Sequence, residues 1–318
     1  MPQALPRPRW RTISVDGRTV EYAEVGTGDP LLFLHGWGLT PRAYLPAVTR
    51  LCRAGVRVIA PSLPGFGRSA AAPHSERTIG GYARIAGRFL DELAIEKPVF
   101  VMGHSFGGGI AIQLATDRPD LVRSLTLVNS VGGAPGRPRL RNQQGMESRA
   151  WWQWAVGAMA EVSPREIARL GPRSLLSLGL DVARDLAPNL ARHPVTALRT
   201  ALVALGADLA GSAQSLVDSG LPVLFIWGDH DKLIAPGAFA DIVNEVSPEI
   251  VQGRHGWLLT APDEFAQLLQ NALVVHALLE RSRRGMPMVV EPTADLFPPE
   301  RRRRARLSRG TLGRSGAS

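Results

Sequence analysis

Ser105 stands between glycines in Gly103-His104-Ser105-Phe106-Gly107, directly after the apolar run Val99 to Met102 and directly before Gly107 to Thr116, a segment with helical spacing. A serine at a sharp strand-to-helix turn is held in a strained conformation with its Oγ projecting from the sheet edge. Glycines two residues to either side remove Cβ atoms that would collide there. Such a hydroxyl becomes a nucleophile when a base takes its proton and an acid orients the base. The Phe106 N–H, at the amino end of the following helix, is a candidate donor to the oxyanion that attack on a carbonyl would create. For the base, His255 in Gly253-Arg254-His255-Gly256-Trp257 follows the last strand-like run and precedes Pro262. For the acid, Asp229 and Asp231 both follow the apolar run Val223 to Trp227. The remaining histidines fit other roles. His35 shapes a loop by hydrogen bonding, His276 lies on a largely apolar helix, His74 and His193 lack a partner motif, and His230 flanks the acid and points to solvent.

A nucleophile, a base and an acid spread over about 150 residues need a scaffold that returns them to one edge. Thr12 to Val15 and Thr19 to Val25 are β-rich runs joined at Asp16-Gly17, a dipeptide that suits a type I′ hairpin. Continuous apolar runs follow at Leu31 to Leu34, Val56 to Ala60, Val99 to Met102, Leu125 to Val128, Val223 to Trp227 and, more weakly, Glu249 to Val251. Runs that do not alternate in polarity suit strands buried on both faces of a parallel sheet. Helical spacing appears between them at Tyr82 to Leu93, Gly107 to Thr116 and Phe265 to Leu279. The expected architecture is therefore α/β: a mostly parallel eight-stranded sheet flanked by helices. One connection is too long. From Asn129 to Val223 there are about 90 residues, where a crossover needs roughly 30. The surplus holds the loops Gly132 to Pro138 and Gly171-Pro172 and helical patterns at Arg149 to Glu161, Pro164 to Leu170, Leu175 to Leu186 and Thr196 to Leu209. The expected organisation is a core of residues 1–131 and 219–280, a helical cap of 132–218 above the carboxyl ends of the strands, and a tail of 281–318.

Two further runs flank the strands, His35-Gly36-Trp37-Gly38-Leu39 after Leu34 and Pro64-Gly65-Phe66-Gly67-Arg68-Ser69 after the next strand. With the Ser105 elbow and Gly228-Asp229-His230-Asp231, they make residues 12 to 280 resemble the α/β-hydrolases, in particular the capped, esterase-like branch. The two flanking runs are especially similar to the biotin-pathway esterases that cleave a carrier-bound pimeloyl methyl ester. Those usually carry Trp before the nucleophile, where this chain has His104. The resemblance implies the α/β-hydrolase fold and the order Ser105, Asp231, His255 for nucleophile, acid and base. The family's G-x-x-D spacing selects Asp231, and Asp229 is read as a turn residue bonding local backbone. The resemblance also implies Trp37 N–H as the second oxyanion donor, after Phe106. Relatives that take the acid from the end of the preceding strand would need it at Asn129, which cannot be anionic. Epoxide hydrolases and haloalkane dehalogenases of this fold carry Asp at the elbow, so Ser105 argues against both.

Composition bounds the rest. The net charge of +9 is concentrated at the end: residues 281 to 318 hold ten Arg against Glu291, Asp295 and Glu300, while the remainder has 27 basic and 25 acidic residues. A run such as Arg301 to Arg304 among Pro, Ser and Gly is the composition of a disordered basic tail, with weak attraction to anions rather than specific nucleic-acid recognition. Cys52 is the only cysteine, which excludes an intrachain disulfide and a cysteine metal cluster. No apolar stretch reaches membrane-spanning length and the Pro/Arg-rich start lacks a secretion signal, so a cytoplasmic protein is expected.

These residues together describe acyl transfer without a metal or organic cofactor. The expected substrate is a carboxylic ester or thioester with an apolar group. Trp151, Trp152 and Trp154, with Met146 and Met159, either bind that group or seat the cap on the core. Two alternatives share the fold: a C–C bond hydrolase of a vinylogous diketone acid, and a triad-retaining small-molecule receptor. A third is a scaffold that binds nucleic acid or membrane through its basic tail.

Overall fold

Asp16 and Gly17 both adopt positive φ, 50° and 73°, as a type I′ turn requires. They join β1 (Arg9–Val15) to β2 (Arg18–Val25) in antiparallel register, Val15 opposite Arg18. In the computed structural model, which describes residues 5–133, 164–192, 194–231, 233–234, 239 and 248–283, six more strands follow. They are β3 (Asp29–Leu34), β4 (Val56–Pro61), β5 (Val99–His104), β6 (Val122–Val128), β7 (Val223–Gly228) and β8 (Glu249–Val251). The sheet order is β1-β2-β4-β3-β5-β6-β7-β8. β2 meets β4 antiparallel, and every pairing from β4 to β8 is parallel. All six residues of β5 are buried, which is why its sequence does not alternate. The expected eight-stranded, mostly parallel sheet with flanking helices is the one observed.

Helices α1 (Pro41–Leu51), α2 (Ile79–Glu92) and α3 (Phe106–Asp117) connect the first six strands. The second begins earlier than periodicity suggests. Thr78 caps it by accepting the Gly81 N–H at 3.0 Å, and glycine is needed there because a Cβ would lie 2.1 Å from the Glu76 carbonyl oxygen. Apolar scoring overlooks a start built on Gly80-Gly81. Within the β6–β7 connection lie α4 (Pro164–Arg192), α5 (Pro194–Leu205) and α6 (Ala210–Asp218). The first of these breaks at Gly171, at φ 71° and ψ 159°, where Gly171-Pro172 suggests a loop. Past that break it runs on to Arg192. The last, α6, places Ala213 and Leu216 in the same buried cluster as Ile110, Leu125 and Phe225, so it packs on the sheet as a crossover helix does. The expected helix Arg149 to Glu161 and the loop from 134 to 138 lie outside the described residues.

Residues 1–270 form one unit and hold the sheet and every candidate site residue described below. The second unit, 271–318, is described only to Arg283, the end of the closing helix α7 (Pro262–Arg283). The basic tail beyond it lies outside the described residues. No helix among the described residues is long and apolar enough to cross a membrane.

Candidate active site

Ser105 caps the amino end of α3 at φ 53° and ψ −116°, a left-handed conformation that costs a non-glycine residue on the order of 1–3 kcal/mol. Backbone bonds on both sides hold it there. Its N–H donates to Val128 O (3.0 Å), and its carbonyl accepts from Gly108 N (2.9 Å) and Val131 N (3.1 Å). The flanking glycines are steric necessities: a Cβ at Gly103 would lie 2.4 Å from Gly107 O, and one at Gly107 2.1 Å from Leu34 O. The Ser105 backbone is therefore fixed at the carboxyl edge of the central strands, and the Phe106 N–H lies at the helix terminus beside it.

Across this edge, the turn after β7 and the segment after β8 bring Asp231 to His255. His255 Nδ1 donates to Asp231 Oδ2 at 2.9 Å, and both residues are buried. That bond puts the ring proton on Nδ1 and leaves Nε2 as the acceptor. Asp231 is over-determined as an anion, since Leu233 N (2.8 Å) and Ile234 N (3.0 Å) donate to Oδ1 and Asn129 Nδ2 (2.5 Å) donates to Oδ2. Burial alone would raise its pKa; the His255 charge and these hydrogen bonds outweigh burial and lower it. Asp229 is placed differently. Its Oδ1 accepts the Gly253 N–H at 2.9 Å, tying the β7 turn to the segment after β8, while His230 is exposed.

Asn129 and His104 do more than their sequence positions suggest. Asn129, fully buried at φ 45°, bridges the pair to the core: Nδ2 serves Asp231 and Oδ1 accepts the Trp257 indole N–H at 2.9 Å. His104 Nε2 donates to the His255 carbonyl at 3.0 Å, and the two rings lie 5.0 Å apart. Its Nδ1 then receives the Tyr44 hydroxyl proton at 2.9 Å, and Tyr44 Oη accepts from Gly36 N at 3.2 Å. The residue before Ser105 thus connects the 36–40 loop to the backbone of His255. Position 129 was visible only as an unsuitable acid, and nothing in the spacing marks Tyr44.

His35 is the loop-shaping hydrogen-bonder its sequence position suggests, its Nδ1 donating to Gly36 O (2.8 Å) and its Nε2 accepting from Leu63 N (2.8 Å). Burial lowers its pKa to about 4, and burial with His255 nearby lowers that of His104 to about 3. An unfolded histidine takes a proton near pH ~6.5. Both residues therefore contribute stability above that pH, which is lost as pH falls from there toward about 4 and about 3. Urea unfolding between pH 7 and 5 is expected to show stability falling by up to ~1.4 kcal/mol per pH unit for each histidine. An unchanged midpoint across that range would contradict neutral burial of both. Loss of the Asp231 anion belongs to a lower window, below ~4.

Trp37 belongs to the 36–40 loop, and its indole N–H is shared between Ala197 O (2.9 Å) and Thr200 Oγ1 (3.0 Å) of α5. Trp151, Trp152 and Trp154, read as substrate-binding, lie outside the described residues, as does His193. No group of metal-binding side chains occurs among the described residues.

One mostly parallel sheet carries a strained serine at the turn after β5 and a buried Asp–His pair after β7 and β8, and comparison with known proteins gives the family. Residues 31–268 match the model of the alpha/beta hydrolase family, so the chain belongs to that family. It is 29% identical to a putative non-heme haloperoxidase of Mycobacterium phage D29, over 82% of this chain and 94% of that protein. It is 28% identical to haloalkane dehalogenase 2 of Mycobacterium tuberculosis, over 83% of this chain and 94% of that protein. Among solved structures it matches a bromoperoxidase from Bacillus anthracis at TM-score 0.64 and 20% identity, covering 83% of this chain and 99% of that one, a likeness of fold. The family and these relatives support hydrolytic activity.

Proposed function

We propose that the protein is a serine hydrolase that cleaves a carboxylic ester or thioester bearing an apolar group. The observation that carries this reading is the buried Asp231–His255 pair, whose unprotonated Nε2 is left to act as a base at the edge where Ser105 is held. His255 takes the Ser105 proton as Oγ attacks the carbonyl, and the Phe106 and Trp37 N–H groups receive the oxyanion. His255 then protonates the leaving group, and the same base activates the water that resolves the acyl-enzyme. These steps need no metal or organic cofactor.

Ser105 also separates this chain from its dehalogenase relatives by chemistry. Displacement of a halide by a serine alkoxide would leave an alkyl ether with no carbonyl for water to attack, whereas an acyl-serine is an ester that water resolves. We take the inserted helices as a cap over the site, and the preference for an apolar group rests on Trp151, Trp152 and Trp154. A chain-length series of p-nitrophenyl esters, run beside a vinylogous diketone acid, tests the reading. Steady multiple turnover on the esters, with kcat/KM rising with chain length, is expected. Turnover confined to the diketone acid would establish C–C hydrolysis instead, and ligand-induced melting shifts without turnover would establish a receptor.

A further inference from the structure

The 36–40 loop is held from the side of the inserted helices at four points. Three of the points come from Asp185, Leu186 and Asn189 of α4, at spacings of one and four residues, and the fourth from α5. Asp185 accepts the Thr40 N–H and the Thr40 hydroxyl, each at 2.7 Å. Leu186 fills the space beside Gly38, where a Cβ would lie 2.5 Å from its Cδ1, and Gly38 has φ 80°. The Asn189 side chain, 3% exposed, uses both ends: Nδ2 donates to Gly38 O and Oδ1 accepts Gly67 N–H, each at 2.9 Å. From α5 come Ala197 O and Thr200 Oγ1, the acceptors of the Trp37 indole.

These anchors bracket the Trp37–Gly38 peptide, next to the Gly36–Trp37 peptide that carries the Trp37 N–H and whose carbonyl accepts from His35 Nδ1. Phe106 N–H is fixed by the core elbow alone, whereas Trp37 has its side chain held by α5 and the carbonyl of the next residue held by Asn189. We propose that Asn189 is a positioning residue that, with Asp185, lets the inserted helices set the orientation of the Trp37 N–H and so complete the oxyanion site. This deepens the serine hydrolase reading and rests on it. One oxyanion donor belongs to the core alone, and the other lies between core anchors at Gly36 and the insertion's anchors at the Trp37 indole and Gly38 O, so displacing α4 would weaken transition-state binding more than ground-state contacts.

Asn189→Asp is the sharpest test, because it is isosteric and keeps the acceptor for Gly67 N–H while turning a carboxylate oxygen toward Gly38 O. With active sites titrated by acyl-enzyme burst, kcat per site on p-nitrophenyl butyrate is expected to fall ~10–10²-fold with KM within about threefold. Affinity for an alkyl trifluoromethyl ketone, which forms a tetrahedral adduct with serine, is expected to weaken by the same factor as kcat/KM. Arg184→Ala, on the same helix but exposed and paired with Asp181, is expected to match wild type. A merely structural Asn189 would lower the melting temperature or the fraction of titratable sites and leave kcat per site and ketone affinity unchanged; that result overturns the proposal. Should N189D not fold, Thr200→Val, which removes only the hydroxyl facing the Trp37 indole, carries the comparison: a severalfold fall in kcat per site is expected, and a wild-type value overturns the proposal. Ser105→Ala is assayed in parallel. Retained turnover there would show that the nucleophile is misassigned, a failure distinct from that of Asn189.

Discussion

Ser105→Ala and His255→Ala are each expected to lower kcat on an aryl ester by ~10⁴ to 10⁶, and the double variant by no more than either alone. Each removes one half of a proton-transfer unit, so once one is gone the other has nothing to act on. The rate that remains comes from the oxyanion donors and from binding. Ser105 makes its anchoring bonds through its backbone to Val128, Gly108 and Val131, so alanine keeps the elbow geometry. S105A is therefore expected to fold and melt like wild type. Near-normal turnover in that folded variant would sink the mechanism, because no other group stands at the elbow.

Asp231→Asn is expected to cost roughly 10³ to 10⁴ in kcat, and Asp229→Asn less than about tenfold. The contrast follows from what each carboxylate receives. Oδ1 of Asp231 accepts two backbone N–H groups, and Oδ2 accepts from His255 and Asn129. In either orientation the amide NH₂ of an asparagine would face donors, so the imidazole loses its orienting anion. A buried mismatch of this kind also costs stability, about 1–3 kcal/mol, so rates must be compared below the melting transition. Asp229 gives one acceptor to Gly253 N–H, and the asparagine oxygen supplies the same acceptor. Should folded D229N prove far more damaging than D231N, the acid of the mechanism is Asp229.

Much of the fold was legible because its signals are local. Asp16-Gly17 dictates a turn with two positive φ angles, and an all-apolar run such as Val99 to Met102 has no polar face to give water. The elbow was legible for the same reason, since the serine, its glycines and the strand before them are neighbours in the chain. Helix starts fared less well. Thr78 caps α2 ahead of two glycines, which carry no apolar signal. The helical pattern read as Leu175 to Leu186 stops short of the observed end at Arg192, and Pro188, a residue that ordinarily breaks helices, lies in the missing stretch.

The candidate site divides along the same line. From sequence alone came a nucleophile type and position, a histidine after the last strand, and two aspartates two residues apart. The family's G-x-x-D spacing selected Asp231, but residue types alone left open which aspartate meets the ring. That depends on how the turn after β7 is tied to the segment after β8, a contact across 24 residues that brings Asp231 Oδ2 within 2.9 Å of His255 Nδ1. The bridging role of Asn129, and Tyr44, Asp185 and Asn189 altogether, were invisible for a related reason. Each is an ordinary polar residue whose partners lie far away in sequence, 151 residues for the bond from Asn189 to Gly38. Side-chain type and short periodicity record what a residue can donate, accept or bury. Which donor meets which acceptor is decided only when burial removes water as the alternative partner, and that is a property of the folded chain.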